Sequence, residues 1–589
     1  MDFHDFLYEL NGCISAPVPE FIDKYFGNGR VTSKATAPES LPSSKISSIQ
    51  PASVNPDRFP QWFVNLAQTN RSGARGSWSV TAKDNTHHER GLLGDCTRLA
   101  FRLLNTDSGT VKDNAAVQAV GLVCPTNASY RDGLVALCAS AQAVFYLQPT
   151  RLFLHAFYIR GSLVEFWVLD RSGVYCSKAM DVRQDAELFL SLFQYYEMMT
   201  DQELGMSSIF STDDQGQYIL LNENNGTADR LYVDTTPIVT RQTLIGAATV
   251  VYRAKLSGSD EWSHAVKIKW PSANARPENE LLEIAMERKA WGAAKLVLYR
   301  EYEITANLRR GMGCGEQRKL PSQVTAADEQ NEETKTGNGD IPGVLQFTEK
   351  ARRSFDSRTL VCVVTSPLGR PLHTFQTRLE LLEALRDAIK CHRSLYLDAG
   401  LLHGDISPGN MIITDTPGAG QPRGILIDLE FAMPRDPAPK RDPNVTIGTL
   451  PFMAIGYMNG EAKTYRQDLE AFFYVLLHMI VGDRDMQLPA ESRMQAWAQG
   501  GGGSAGNDAW RALADRKLRD MEHHSFRHIV NEIPPMFASV KALAERLRAL
   551  LFPVRDGKVW AGTDHTPEAV EALYDGVIAA FDDVVAAET

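Results

Sequence analysis

The chain contains 589 residues, 44% of them hydrophobic and 23% charged, which is typical of globular proteins with more than one core. Its formal net charge of −11 argues against nucleic acid or an anionic membrane surface as the main partner. The most apolar window, residues 471–481, is too short to cross a bilayer. The eight cysteines include no Cys-x-x-Cys pair, so we expect reduced thiols in an intracellular protein.

The N-terminal part of the chain is predicted to combine a flexible segment with an α+β region. Residues 1–60 carry a short helix followed by a stretch that is rich in Ser, Pro, Thr and Ala. In the region that follows, 61–235, turn signals near 160–162 and 171–173 divide an apolar stretch into a β-meander. Helices are predicted around 91–104, 131–143 and 185–198.

The second half of the chain begins with a strand–turn–strand pattern at about residue 238 and becomes helical after residue 378. Residues of about 311–343 form a polar insert that we expect to be a disordered surface loop. The other predicted elements are a helix at 278–292, strands near 295–304 and 359–365, and helices at 378–399, 464–482, 508–522 and 536–551.

Residues 401–413, Leu-Leu-His-Gly-Asp-Ile-Ser-Pro-Gly-Asn-Met-Ile-Ile, carry the most informative motif of the chain. It places Asp405 five residues before Asn410, between two short apolar runs. A carboxylate on such a loop can orient an acceptor hydroxyl and take its proton, while the later amide oxygen binds a metal ion on nucleotide phosphates. The buried-strand pattern at 424–430 delivers Asp428, which would hold a second Mg²⁺. This spacing predicts phosphoryl transfer.

Motifs upstream of this loop supply candidate nucleotide-binding residues. Leu-Ile-Gly-Ala-Ala-Thr-Val-Val-Tyr, which starts at residue 244, is similar to the turn that covers ATP phosphates and keeps one glycine, Gly246. Lys267 lies where a strand lysine would reach the α- and β-phosphates, but Lys269 points to the same face of that strand and stays an alternative. The next helix offers Glu278 or Glu280 as the partner of the lysine, and spacing does not choose between them.

Two further segments fit the same chemistry. Residues 360–372 are typical of a buried strand that runs into a hinge, where backbone groups near Thr365 and Leu368 would contact the adenine edge. Residues 447–454, Ile-Gly-Thr-Leu-Pro-Phe-Met-Ala, are similar to the end of a protein-kinase activation segment. The acceptor region of a substrate would dock there.

Four residues near the predicted catalytic loop have supporting assignments. His403 is assigned to buried structural support, and Thr449 is expected to form a local hydrogen bond with the loop. Asp468 opens an apolar helix and would brace the loop by accepting backbone N–H bonds. Thr446 is a candidate autophosphorylation site.

In this order, the motifs resemble the fungal-type protein kinase family, a divergent branch of the protein-kinase fold, over residues of about 145–555. The resemblance implies an α+β, bilobal fold with a small lobe at 236–365 and a helical large lobe at 366–555. An α+β accessory region at 61–235 would precede the lobes, and a helical tail at 556–589 would follow. The resemblance further implies ATP and Mg²⁺ as cofactors, a protein hydroxyl as acceptor, a filamentous-fungal source, and a location in the cytoplasm or nucleus.

Four features depart from the usual protein-kinase pattern. The glutamate that normally follows Met-Ala-Pro is absent, since the chain reads Met-Ala-Ile-Gly at 453–456. Gly404 replaces the arginine before the catalytic aspartate, which predicts activity that loop phosphorylation does not control. Ser407 replaces a lysine near the transferred phosphate. Glu430 replaces the glycine after the metal aspartate and adds a carboxylate to the cluster. These departures bear on the rate of phosphoryl transfer and on its regulation more than on nucleotide binding.

Three functions are consistent with these residues. The first is a Ser/Thr-type protein kinase acting on a protein substrate, with no nucleic acid or membrane partner. The second is a small-molecule kinase of the aminoglycoside- or choline-kinase type, because His-Gly-Asp-x-x-Pro-Gly-Asn followed by Ile-Asp-x-Glu matches that group locally. The third is a pseudokinase scaffold, which the degraded glycine turn favours. The sequence leaves the oligomeric state open.

Overall fold

A computed structural model describes residues 9–10, 12–27, 59–67, 74–80, 96–103, 116–221, 229–241, 243–313, 317–318, 355–415, 418, 420–435, 448–498 and 507–588. Most of the predicted flexible segment, most of the predicted polar insert, and Thr446 lie outside the described residues. The chain divides into two compact units, the first formed by residues 1–257, 266–275 and 300–362, and the second by 258–265, 276–299 and 363–589. The domain boundaries inferred from the sequence stay predictions.

The fold is a mixture of α-helices and several β-sheets. The strands of its first half are β1 (Ile14–Ser15), β2 (Gly76–Val80), β3 (Thr97–Leu103), β4 (Val117–Cys124), β5 (Phe153–Arg160), β6 (Leu163–Asp170), β7 (Gly173–Cys176), β8 (Met180–Asp181), β9 (Ser211–Asp213), β10 (Gly216–Leu220), β11 (Arg230–Val233), β12 (Val239–Thr240), β13 (Val250–Leu256) and β14 (His264–Lys269). Those of its second half are β15 (Lys295–Ile304), β16 (Gln317–Arg318), β17 (Thr359–Ser366), β18 (Arg370–Pro371), β19 (Leu401–Leu402), β20 (Met411–Ile413), β21 (Gly424–Leu426), β22 (Met433–Pro434), β23 (Val554–Arg555) and β24 (Lys558–Val559).

Most helices belong to the second compact unit. The helices are α1 (Phe21–Phe26), α2 (Phe59–Ala67), α3 (Tyr130–Leu147), α4 (Ala186–Tyr196), α5 (Glu278–Glu287), α6 (Thr305–Leu308), α7 (Arg378–Leu397), α8 (Ile455–Met458), α9 (Tyr465–Val481), α10 (Asn507–Asp520), α11 (His523–Glu532), α12 (Lys541–Leu551) and α13 (Pro567–Glu588). None of the described helices is both long enough and apolar enough to span a membrane.

The first unit is built on a sheet with the strand order β16-β1-β7-β6-β5-β4-β3-β2, in which β8 also pairs with β6. Strands β5, β6 and β7 are antiparallel neighbours, so the predicted meander is confirmed. Successive side chains of a strand face opposite sides of the sheet. Accordingly Phe157 and Phe166 pack into one hydrophobic cluster, and Tyr158 and Trp167 pack into another. Both faces are covered, which accounts for the nearly continuous apolar sequence.

The predicted helix at 91–104 is wrong where the structure describes it. Residues 97–103 form β3, which pairs antiparallel with both β2 and β4. Leu99 and Phe101 are buried, whereas Arg98 and Arg102 alternate with them and are partly exposed. This alternation has the period of a strand rather than that of a helix.

The expectation that all cysteines are reduced thiols is also wrong. Cys96 and Cys124 form a disulfide between positions 28 residues apart. Thr97 lies opposite Val123 in the antiparallel β3–β4 ladder, so the register places the two cysteines side by side. Such a pairing cannot be deduced from cysteine spacing, because it depends on strand register.

A buried carboxylate in this sheet makes the first unit sensitive to pH. Glu165 of β6 is 5% exposed, and the Tyr130 hydroxyl donates a 2.9 Å hydrogen bond to it. Burial raises the pKa of Glu165 from 4.5 to about 7. The folded state therefore binds more protons than the unfolded state between these values, and stability falls as the pH rises from 4.5 towards 7.

Replacing Glu165 with glutamine should remove this pH dependence. The amide keeps an acceptor for Tyr130 but carries no charge, so E165Q should be more stable than the wild type above pH 7, by about 3 kcal/mol at most. Apparent unfolding temperatures at pH 5 and pH 8 measure the effect, with Glu187→Gln on the exposed side of α4 as control. If the difference in stability between E165Q and the wild type were the same at pH 5 and pH 8, the assignment would be contradicted.

The second large sheet has the order β15-β17-β14-β13-β11-β10-β9, and β12 also pairs with β13. The predicted strand–turn–strand is confirmed by β12 and β13, with Val239 opposite Val251. The predicted strands near 295–304 and 359–365 are confirmed by β15 and β17.

The helices of the second unit follow the predicted pattern closely. Helices α7, α9 and α10 lie within two residues of their predicted limits. Helix α5 ends at Glu287, five residues earlier than predicted, and Lys289 then adopts a positive φ of 56°. The predicted helix at 536–551 is a 3-10 turn followed by α12.

Candidate active site

The predicted catalytic loop and the predicted metal aspartate meet at one end of a β-hairpin. Strands β20 and β21 pair antiparallel, with Met411 opposite Leu426. Asn410 immediately precedes β20, and its carbonyl accepts a 3.0 Å hydrogen bond from the Ile427 N–H. Asp428 is the next residue. The hairpin register therefore places Asn410 beside the chain that leads into Asp428.

The Asp405 carboxylate is held by two hydrogen bonds. Asn410 Nδ2 donates to Asp405 Oδ2 at 3.0 Å and to the Asp405 carbonyl at 2.8 Å. The Thr449 hydroxyl donates to Asp405 Oδ1 at 3.0 Å. Because Asn410 uses its amide nitrogen for these bonds, its amide oxygen is left as an acceptor. Asp405 remains partly exposed and lines a cavity together with Thr449 and Lys463.

Asp428 has an unusual backbone conformation. Its φ of 66° and ψ of 68° lie in the left-handed region, which a non-glycine residue adopts at a cost of about 1–3 kcal/mol when it is strained. It follows β21 and precedes a 3-10 turn, Leu429–Phe431, against which α5 packs. Backbone strain of this kind clusters at functional sites.

The oxygens of Asn410 and Asp428 fit a Mg²⁺ site. Mg²⁺ takes oxygen ligands and is usually bound through one or two protein groups together with substrate phosphates. The Asn410 amide nitrogen is used in bonds to Asp405, so the amide oxygen is the atom that would bind the ion. Within the described ranges, no cluster of three or more His, Cys, Asp or Glu residues could hold a metal ion by itself.

A buried network braces the backbone just before Asp405. Asp468 Oδ2 accepts a 3.1 Å bond from the Gly404 N–H and a 2.9 Å bond from His392 Nε2. Lys463 Nζ donates to the Gly404 carbonyl. His403 is fully buried, and its ring contacts the Ile427 carbonyl through Nε2 at 3.0 Å.

Opposite charges lie close together in this network, since the Lys463 ammonium acts on the Asp468 carboxylate. Burial acts to raise the pKa of Asp468, but the hydrogen bond from His392 and the charge of Lys463 outweigh it and hold that pKa below its ordinary value. Burial lowers the pKa of His403, which keeps its imidazole neutral. The Asp405 N–H contacts His403 Nδ1 at 3.3 Å, an acceptor position of the neutral ring.

The structure gives a reason for glycine at position 404. Gly404 has a φ of 79°, a conformation that glycine adopts without a steric penalty. A Cβ at this position would lie 3.0 Å from the Phe431 carbonyl. The replacement of arginine by glycine therefore relieves strain beside Asp405, and Lys463 supplies a cation next to the same backbone.

The predicted phosphate-covering turn is held by other parts of the first unit. Gly246 has a φ of 120°, and no atom lies within 4 Å of where its Cβ would be. However, its N–H donates a 3.0 Å bond to the Arg171 carbonyl, and the Ile245 N–H donates to the Glu9 carboxylate. Two backbone N–H groups of the turn thus form hydrogen bonds within the protein.

The two candidate lysines differ in burial. Lys267 is partly exposed, whereas Lys269 is 1% exposed. The candidate glutamates of α5 differ too, since Glu278 is 5% exposed and Glu280 forms a 2.8 Å surface ion pair with Arg276. These differences in burial do not decide which lysine pairs with which glutamate, and the pair stays a prediction.

The predicted hinge lies at the end of β17. Thr365 is partly exposed near the last residue of that strand. The Leu368 N–H donates a 2.9 Å bond to the Ser263 carbonyl. This N–H is therefore engaged within the protein, and the adenine contact stays a prediction.

The predicted substrate-docking segment is anchored by residues without a predicted role. Lys517 of α10 donates 2.7 and 2.8 Å bonds to the carbonyls of Pro451 and Met453. Glu470 accepts a 2.8 Å bond from the Ile455 N–H. The segment is thus fixed from two helices of the second unit.

Gly456, at the position of the missing glutamate, lies in a crowded place. A Cβ there would lie 2.3 Å from Glu461 Oε2, so a larger residue requires the Glu461 side chain to move. Of the other departures, Ser407 is 6% exposed and Glu430 lies partly buried on the 3-10 turn after Asp428.

Comparison with known proteins agrees with this geometry. The model of the fungal protein kinase family matches residues 101–480. The chain belongs to the fungal protein kinase family. The match includes the hairpin with Asp405 and Asn410, Asp428, and the helix that carries Asp468. No curated protein sequence matches the chain. Helices α10 to α13 lie beyond the family match, although α10 holds the docking segment through Lys517.

Proposed function

We propose that this fungal protein kinase is an ATP-dependent Ser/Thr-type enzyme with a bilobal, α+β kinase fold. The observation that carries the proposal is the hydrogen-bonded pair of Asp405 and Asn410, with Thr449 on the same carboxylate. Asp428 follows the strand that pairs with the one after Asn410. A scaffold protein would need none of these interactions.

The proposed roles follow from the chemistry of each side chain. Lys267 binds the α- and β-phosphates, and Glu278 orients the lysine. Asp405 orients the acceptor hydroxyl and receives its proton, with its carboxylate rotamer fixed by Asn410 and Thr449. Asn410 and Asp428 would hold Mg²⁺, which neutralises charge on the phosphates. Positioning and charge stabilisation then provide most of the rate enhancement.

A protein is favoured over a small molecule as the acceptor by the anchored segment at 448–455. Lys517 and Glu470 are buried and use their polar groups to fix its backbone. Residues 452–455 are buried, whereas residues 448–451 are exposed or partly exposed and can present a defined shape to an extended substrate chain.

One observation favours a second function, a pseudokinase scaffold. The N–H groups of Ile245 and Gly246 donate to Glu9 and Arg171. In a phosphate-covering turn, such groups would instead face phosphate oxygens. A scaffold would retain the fold without binding nucleotide.

Phosphate transfer from labelled ATP tests the proposal directly. Purified wild-type protein is incubated with Mg²⁺, labelled ATP and a generic basic protein, and Ser or Thr labelling of that protein or of the chain itself is expected. Thermal unfolding with millimolar Mg²⁺-ATP should show stabilisation, because only the folded state binds the nucleotide. Stabilisation without protein labelling would point to a small-molecule acceptor. The absence of both signals would support the scaffold.

A further inference from the structure

The catalytic-loop brace continues to the C-terminal helix. The Tyr574 hydroxyl of α13 lies 2.8 Å from His392 Nδ1, and His392 Nε2 lies 2.9 Å from Asp468 Oδ2. Asp468 Oδ2 also accepts the Gly404 N–H at 3.1 Å. Tyr574 and His392 are 0% exposed, and Asp468 is 5% exposed. An unbroken buried chain of hydrogen bonds therefore joins α13 to the residue before Asp405.

The directions of these bonds are fixed by the chemistry of the groups. Burial raises the pKa of Tyr574 well above its ordinary value, so its hydroxyl keeps the proton that it donates. The Asp468 carboxylate oxygen can only accept, so His392 donates to it through Nε2. In this tautomer Nδ1 accepts the bond from the Tyr574 hydroxyl. Tyr574 thus favours the form of His392 that can orient the carboxylate.

Helix α13 is also held in place by surface ion pairs and by aromatic contacts. Glu588 forms a 2.6 Å ion pair with Arg378 of α7, and Asp575 forms a 2.9 Å pair with Arg393. Exposed ion pairs contribute little individually. The buried contact is an aromatic cluster in which the Tyr574 ring lies 5.8 Å from Tyr465. The packing of this cluster fixes the position of the Tyr574 hydroxyl along the axis of α13.

We propose that Tyr574 is a positioning residue for phosphoryl transfer, acting through His392 and Asp468 on the backbone that carries Asp405. The inference rests on the proposed kinase activity and extends the catalytic scaffold to α13, beyond the 101–480 family match. It gives the C-terminal helix a role in turnover rather than in nucleotide binding.

Loss of the Tyr574 hydroxyl should disturb the tautomer of His392. Nδ1 would be left buried without its donor, which removes the preference for the tautomer that carries its proton on Nε2. In the other tautomer Nε2 faces Asp468 with a lone pair, and the bond to the carboxylate is lost. This change loosens the Gly404 backbone, and the Asp405 carboxylate then samples unproductive positions.

Tyr574→Phe tests the proposal, with Tyr465→Phe as a matched control. Both substitutions remove one hydroxyl from the same aromatic cluster, but the Tyr465 hydroxyl donates to the Asp564 carbonyl at 2.7 Å and lies outside the chain of bonds. We expect Y574F to lower kcat about 10-fold, with KM for ATP changed less than about twofold, since one buried polar group loses its partner. Y465F should leave kcat within about twofold.

A second measurement keeps the inference testable without turnover. Hydrogen exchange of the full-length protein should become faster in peptides that cover residues 401–410 in Y574F but not in Y465F. Equal kcat and equal exchange in the two variants would overturn the proposal. If the wild-type protein transferred no phosphate and exchange still differed between Y574F and Y465F, the kinase function would be refuted. The structural coupling of α13 to the loop would be retained.

Discussion

Replacing Asp405 with asparagine is expected to lower kcat by about 10²–10⁴-fold, the usual contribution of a positioned general base. The amide has nearly the same shape and can still accept a hydrogen bond from Thr449 or Asn410, but it cannot take a proton. Binding of Mg²⁺-ATP should persist, because the predicted phosphate and metal contacts lie on other residues. Initial rates with labelled ATP and nucleotide-induced thermal stabilisation measure the two properties separately.

Asp415→Asn is a suitable control for this experiment. Asp415 lies ten residues further along the chain, and its side chain is 67% exposed in an ion pair with Arg370. Removing its charge should leave kcat unchanged. If D405N retained the wild-type rate, Asp405 would have no part in the chemistry and the proposed assignment would fail.

The catalytic hairpin could be predicted from the sequence because its parts are close in the chain. Asp405, Asn410 and Asp428 lie on two neighbouring strands and the turns that flank them. Local spacing and strand periodicity are therefore enough to propose that they meet. The assigned roles stay predictions, although the bond between Asp405 and Asn410 has the geometry that the roles require.

The residues that brace the catalytic loop and the docking segment could not be found in this way. Lys517 and Tyr574 reach their partners from helices that lie far along the chain. A single lysine or tyrosine on a helix gives no sequence signal for such a contact, because its partner is decided by tertiary packing. Glu470 lies two residues after Asp468, but this spacing did not reveal its bond to the Ile455 N–H.

One departure from the usual pattern fits the backbone geometry. Gly404 occupies a left-handed conformation, which glycine adopts without a steric penalty. This conformation is not visible in sequence spacing. The disulfide between Cys96 and Cys124 was missed for a related reason, since strand register decides which cysteines meet.

The second large effect is expected from Asp428→Asn. Asparagine tolerates the left-handed conformation nearly as well as aspartate, so the backbone at φ 66° should be kept. The substitution removes the charge of the proposed Mg²⁺ ligand. We expect a loss of about 10²–10⁴-fold in kcat, since a bound metal ion contributes several kcal/mol of charge stabilisation to phosphoryl transfer.

Metal-dependent binding separates this effect from general damage to the fold. Nucleotide-induced stabilisation of D428N should depend on Mg²⁺ much less than that of the wild type, while the unfolding temperature without nucleotide stays unchanged. Asp428→Ala should lose the same charge and also be less stable, by about 1–2 kcal/mol, because alanine pays for the left-handed backbone. Glu430→Gln is the control for charge on the neighbouring turn. A full Mg²⁺ response in D428N would exclude Asp428 as a ligand. Equal stability of the two variants would show that asparagine has no advantage over alanine in this conformation.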